Sequence, residues 1–151
     1  MAYWLLKSEP EVFSLDDLER KGVEGWDGVR NYQARNYLRS MEVGDRALFY
    51  HSRQIPPGVV GVCEVVRAAY PDLGAQDPES RYYDPRATPE DPRWYQVDVR
   101  FVRRFRRLLP LEELKATPGL EEMWVTRKGS RLSVQPVQPE EWAIVLRLAE
   151  S

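Results

Sequence analysis

Apolar and polar positions change period several times along this chain, and each change marks an element. Tyr3-Trp4-Leu5-Leu6 is an unbroken apolar run that stops at Lys7-Ser8-Glu9-Pro10, where proline cannot continue central pairing, so a strand ending in a polar loop is predicted. Ser14 precedes Leu15-Asp16-Asp17-Leu18-Glu19-Arg20, and Gly22 follows, which predicts a short hydroxyl-capped helix with acid in its first turn and base in its last. Ala34, Tyr37, Leu38 and Met41 then recur at the spacing of one helix face, with Asn31 where a cap belongs. Tyr32, Arg35, Asn36 and Arg39 lie off that stripe and face solvent or whatever the helix overhangs.

Gly44-Asp45 turns the chain into Ala47–His51, and Pro56-Pro57-Gly58 turns it into Val59–Val66, predicting two adjacent strands. Pro71 to Pro92 is rich in Pro, Asp and Gly without a sustained period and reads as a long surface loop. Trp94 to Phe105 alternates Tyr95, Val97, Val99 and Phe101 inward against Gln96, Asp98 and Arg100 outward, the period of a half-buried strand. Pro110 opens a short helical segment through Leu114, Arg131–Val134 reads as a last strand, and Gln138-Pro139 opens a helix with Trp142, Val145, Leu146 and Ala149 on one face. Strands scattered among short helices, with no βαβ rhythm and no internal repeat, predict an α+β fold: a curved sheet or small barrel of mixed strands with peripheral short helices.

Length changes this picture little, since 151 residues is the size of a single domain with one substantial core, taken as residues 1–151. No apolar run approaches the roughly 20 residues that span a bilayer, so no membrane is expected as partner. The N-terminal residues lack the pattern of a secretory signal, and the lone Cys63, inside Val59–Val66, can form neither an internal disulfide nor a cysteine metal cluster. A cytoplasmic location, core packing for Cys63, and no metal or other cofactor are therefore expected.

Charge bears directly on function. A formal net charge of -2 argues against nonspecific coating of nucleic acid, which relies on a strongly basic domain. Basicity is concentrated instead at Arg100, Arg103, Arg104, Arg106 and Arg107. Arg100, Arg104 and Arg106 fall on the outward face of their strand, either as a solvated face neutralised by nearby acids or as a phosphate track.

The densest candidate chemistry lies from Trp26 to Arg39, where rings, guanidinium groups and amides share one turn and helix: groups that stack on, pair with and grip nucleotides. Trp26 sits in a loop beside Asp27-Gly28, either as a core residue or as the ring that replaces the lost stacking of an extruded base. Trp94 can form an opposite wall or simply cover the end of the sheet. Trp4, Trp124 and Trp142 lie within apolar patterns and are assigned to the core. Lys7, Ser8 and Glu9 leave a buried strand together and can converge at the sheet end, where a carboxylate accepts from an exocyclic amine. Asn31 is claimed both by the helix cap and by a base edge, and Arg30 is the stronger binding candidate of the two. His51 and Ser52 leave their strand as Lys7 and Ser8 leave the first, so they can line the same mouth. Arg131 and Ser133 alternate to one side of the last predicted strand.

Four motifs in order, Trp4–Pro10, Trp26–Asn36, Phe49–Ser52 and Arg131–Val137, resemble those of the EVE domain family and, within it, the thymocyte nuclear protein group; the resemblance covers about Tyr3 to Leu148. It implies a PUA-like pseudo-barrel related to the PUA, ASCH and YTH folds. It also implies recognition of a modified base in nucleic acid, DNA in preference to RNA, with 5-methylcytosine and 5-hydroxymethylcytosine as the expected modifications and base flipping as the route. Under this reading the ligand-binding set is Lys7, Ser8, Glu9, Trp26, Arg30, Asn31, Tyr32, Asn36, His51, Ser52, Trp94, Arg131 and Ser133. The ASCH relatives include small amidohydrolases that use a lysine, a hydroxyl and a carboxylate, groups that Lys7, Ser8 and Glu9 supply. No nucleophile-base-orienter spacing accompanies them, so a non-enzymatic binding module is expected first, a modified-nucleoside hydrolase second and a protein-interaction domain third.

Overall fold

The computed structural model describes all residues, 1–151. Strands β1 (Tyr3–Ser8), β2 (Val23–Gly25), β3 (Arg46–His51), β4 (Gly58–Pro71), β5 (Tyr95–Pro110) and β6 (Val134–Val137) form one sheet in the order β2-β5-β4-β3-β1-β6. The β1–β3 pair is parallel, and every other pair is antiparallel. Helices α1 (Leu15–Lys21), α2 (Tyr32–Ser40), α3 (Leu111–Ala116) and α4 (Pro139–Ala149) surround it, and none is long and apolar enough to cross a membrane. The α+β class holds, whereas the sheet is not closed into a barrel: β2 and β6 stand at opposite edges of the strand order and do not pair. Pro136, which cannot donate to a ladder, is tolerated because β6 is an edge strand.

Both faces of the sheet are buried, which explains the continuous apolar runs of β1 and β3. Trp4, Leu6, Ala47 and Phe49 join Leu15 and Leu18 of α1 and Ala34 and Leu38 of α2 in one core. Leu5, Leu48 and Tyr50 point the other way, onto Leu114 of α3 and Trp142 and Val145 of α4. Each fully buried leucine contributes roughly 1.5–3 kcal/mol through burial. Cys63 is fully buried in the first core, and burial pushes its thiol up to about 12.

The two long strands change sides. Val97 and Val99 face the first core and Phe101 packs against it, as the alternation predicts, but Phe105 and Leu109 belong to the second. The change occurs where Val62 pairs Arg103 and Cys63 pairs Phe101, so β5 advances two residues for one of β4. Such a bulge rotates every later side chain to the other face. β4 runs past Val66 and β5 past Phe105 because the ladder continues through further register shifts that break the alternation, at Val65/Arg67 and Arg67/Tyr70 toward one end and at Val59/Gly61 toward the other.

Three local expectations need correction. The last strand begins at Val134, so Arg131 and Ser133 lie in the preceding segment; Lys7 N–H still donates to Ser133 O at 2.9 Å. The short β2 was not anticipated, because three residues cannot display a period. The stretch from Pro71 to Pro92 is no bare loop: it carries a 3-10 turn, Leu73–Gln76, and a small core of Ala75, Ala87 and Trp94.

Candidate functional site

Residues at the end of β1, the loop after β2, the turn after β3 and two distant segments enclose a cleft of about 760 Å³. That volume lies within the roughly 300–1,000 Å³ typical of small-ligand sites. Its aromatic wall is Trp26, only 7% exposed, set edge-on to Phe49 at 5.4 Å and to Phe13 at 6.2 Å. Trp26 is therefore both core residue and cleft wall, and the two readings of it were not exclusive. Its backbone N–H donates to Val97 O at 2.7 Å, which holds the loop against β5.

The segment after β4 closes another side. Gly28 has φ +78°, and a Cβ there would lie 2.8 Å from the Tyr82 ring, so only glycine lets Tyr82 approach the loop this closely. Arg30 locks the two together: Nε and Nη2 donate to Tyr82 O at 3.0 and 2.8 Å, while Nη1 lies 3.0 Å from Asp72 Oδ2. Asp72, 1% exposed, also accepts from the Gly28 and Gly74 amides at 2.9 and 3.0 Å. Arg30 lines the cleft, but most of its donors are already spent on its architecture.

Lys7, Ser8, Glu9, Ser52, Arg131 and Ser133 all line this cleft. The Ser8 hydroxyl donates to Phe13 O at 2.5 Å, and Ser52 N–H donates to Ser8 O at 2.9 Å, so these serines mainly fix the backbone. Glu9 faces Arg53 at 3.2 Å. Lys7 Nζ approaches Ser130 O at 3.5 Å and lies 5.6 Å from the Tyr50 ring centroid; burial lowers its pKa. Gln135, 1% exposed, donates to Ser130 Oγ at 3.0 Å and Leu132 O at 2.8 Å, positioning the 130–133 segment beneath Lys7.

The other expected residues lie elsewhere. Asn31 Oδ1 accepts from Ala34 N at 3.0 Å, which is the helix-cap use of that amide. His51 Nε2 accepts from the Leu15 amide at 3.1 Å, and burial lowers its pKa, so a neutral imidazole supports the start of α1. Trp94 is buried in its own small core, with its indole N–H donating to Asp84 at 2.7 Å. That bond, with those from Arg86, holds the Asp84 carboxyl far below the usual range. Tyr32 is exposed and stacks on Trp94 at 4.7 Å, and Asn36 Oδ1 accepts from Arg35. The tyrosine and asparagine form a surface patch on α2 outside the cleft, because the helix turns its polar face away from Trp26.

The arginine stripe is largely neutralised by the chain's own acids. Arg100 pairs Glu64 at 2.6 Å, and Arg104 bonds to Asp16 and to Glu19, the latter at 2.9 Å. Arg106 is exposed. Of the two readings of this face, the solvated one describes Arg100 and Arg104, which are held by carboxylates, while Arg106 has no such partner.

Sequence reasoning missed Asp27, Arg53, Arg81 and Tyr82 as cleft residues. Asp27 sits inside the quoted motif, and its spacing from Trp26 was the available signal. Its carboxyl pKa is raised first by desolvation and then by the neighbouring charge of Asp72, although the residue as a whole is exposed. Arg81 and Tyr82 gave no signal, because nothing local announces that their segment folds back over Gly28.

The EVE domain family profile matches residues 2–148. Thymocyte nuclear protein 1 of Mus musculus is 45% identical, the alignment covering 99% of this chain and 74% of that protein. A crystal structure of a Pseudomonas putida protein superposes with a TM-score of 0.96 at 53% identity, covering 98% of this chain and 99% of that one. The human THYN1 protein, solved in complex with 5-methylcytosine-containing DNA, superposes with a TM-score of 0.93 at 44% identity, covering 100% of this chain and 99% of that one. An ASCH protein of Zymomonas mobilis, at 12% identity and TM-score 0.57, shares the fold alone.

Proposed function

The chain belongs to the EVE domain family, and on that premise we propose that it is a non-enzymatic module that binds DNA by receiving a modified cytosine, flipped from its stack, in the Trp26 cleft. The observation that carries this reading is the cleft itself: one aromatic wall beside a carboxylate, Asp27, and an ammonium, Lys7, neither of them ion-paired. A flipped base needs a ring to replace its lost stacking and a few polar groups for its edge. An ionised Asp27 accepts from the exocyclic amine of cytosine, and Lys7 donates to its carbonyl oxygen. The human relative, solved with 5-methylcytosine-containing DNA, supports the choice of ligand; 5-hydroxymethylcytosine is the second candidate, since a hydroxyl suits a half-polar cleft.

A hydrolase is the competing reading, and it would need Lys7, Ser8 and Glu9 to converge on one substrate atom. Their partners diverge instead: Ser8 turns to Phe13 O, Glu9 to Arg53 and Lys7 to Ser130 O. The test is a binding titration with oligonucleotides carrying cytosine, 5-methylcytosine or 5-hydroxymethylcytosine, followed by chromatography after long incubation with acetylated, methylated and hydroxymethylated cytidine. Saturable binding with preference for a modified base, and no product, is expected. Turnover lost in Lys7→Ala would overturn the reading.

A further inference from the structure

A second cleft, of about 630 Å³, opens beside the first and shares with it Lys7 and Ser130. Its rim carries Lys115, Arg127 and Lys128. Half of the 22 lysines and arginines are ion-paired to carboxylates. Lys7, Lys115, Arg127 and Lys128 all belong to the other half, although acids outnumber bases in the chain as a whole. The single carboxylate lining this cleft, Glu121, accepts from the Gly119 amide at 2.9 and 3.1 Å. Thr126 gives its hydroxyl to Leu120 O and Met123 O, and Arg127 is fixed by Glu122 O at 2.9 Å and by the Trp124 ring at 5.1 Å. This is a preformed concavity in which four cationic side chains outnumber one carboxylate, and none of the four is ion-paired to it.

We propose that this second cleft holds the phosphates of the strand whose base occupies the first, with Lys7 and Ser130 as the shared wall between base and backbone. The inference rests on the base-binding reading of the first cleft. A nucleotide seated there with its sugar turned toward Lys7 and Ser130 leads its chain directly into the second cleft, and phosphate contacts fix register without reading sequence. The β5 arginines, already held by acids, are not needed for this role.

The experiment compares wild type with Lys115→Gln/Lys128→Gln, both side chains being exposed, on a single-stranded oligonucleotide with one 5-methylcytosine and on its unmodified twin, across about 50 to 200 mM salt. Each phosphate contact on a single strand contributes about 0.7 to the slope of log K against log salt, so the double variant is expected to lose about 1.4. Both oligonucleotides weaken alike, and the preference ratio stays that of wild type. Arg104→Gln/Arg106→Gln keeps the full slope. Wild-type affinity and slope in the Lys115/Lys128 variant overturn the inference, and leave the cleft to another anion such as an acidic peptide. Failure of the base reading shows separately, as wild type binding both oligonucleotides equally; the slope then still decides the phosphate cleft. Absence of any binding by wild type overturns both.

Discussion

Arg30 Nη1 stands 3.0 Å from Asp72 Oδ2, and this ion pair joins two segments 42 residues apart into one side of the base cleft. Asp72 is almost wholly buried while Arg30 keeps 22% of its side chain exposed, so the pair is only partly screened by water. Asp72→Ala leaves a guanidinium and the Gly28 and Gly74 amides without their acceptor. Removing one partner of a buried pair costs about 3–5 kcal/mol, and the exposure of Arg30 places this variant at about 3. Urea denaturation measures it, and limited proteolysis should cut first between residues 72 and 92. A loss under about 1 kcal/mol would show that the Tyr82 contacts suffice alone.

Trp26 serves core and cleft together, so its substitutions separate by size. Trp26→Ala removes the ring against Phe49 and Phe13 and should cost about 3–5 kcal/mol of stability. Trp26→Phe retains an aromatic face, so most stability should remain while binding of the preferred base falls by about 1 kcal/mol, the low end for one stack. Denaturation melts and binding titrations on both variants test the two roles. An alanine variant as stable as wild type would remove Trp26 from the core.

Asp27 should impose an acid limit on binding. Its pKa is raised, and it accepts from the base only when ionised, so affinity should decline at a higher pH than an ordinary aspartate near 3.8 would set. In Asp27→Asn the amide oxygen still accepts but carries no charge; binding weakens at neutral pH and the acid limb disappears. A titration series from neutral to acid pH checks this, and an identical profile in wild type and variant would exclude Asp27 from the base edge.

His51 gives stability its own pH dependence. Leu15 N–H needs the lone pair of Nε2, and the folded-state pKa is lowered, chiefly by burial and further by Arg104, against the opposing charge of Asp16. Above the ordinary imidazole value of about 6.5 both folded and unfolded forms are neutral, and the contribution is complete. Below it the unfolded chain takes up a proton that the folded state resists, so stability falls as pH drops toward the lowered folded value. Denaturation midpoints in wild type and His51→Gln, compared between about pH 8 and pH 5, should converge as the pH falls. A constant difference across that window would show that His51 does not titrate in it.

Much of this architecture was legible in the chain. The Ser14 and Asn31 caps and the stripe of Ala34 and Leu38 are set by neighbours three or four residues away, the apolar runs of β1 and β3 are contiguous, and local sequence records both. The cleft was half legible. Lys7, Ser8, Glu9, Trp26 and Ser52 could be grouped because each leaves a strand or precedes a helix in a recognisable motif. His51 and Asn31 share those motifs but serve α1 and α2, since one side chain can satisfy only the partner that packing brings nearest.

The sequence by itself determined most of the elements, the α+β class and the family, because periodicity, caps and ordered motifs are properties of short stretches, whereas the three-residue β2 shows none of these. Only the tertiary structure decided that β5 changes faces at a bulge, that Tyr82 folds back over Gly28, that acids from α1 and β4 neutralise Arg104 and Arg100, and that Lys115 and Lys128 share a cleft without being ion-paired. The physical reason is the same in each case. Whether a ring is wall or core, and whether a charge is free or paired, depends on groups tens of residues away along the chain that only the packing of helices on the sheet brings within a few ångströms.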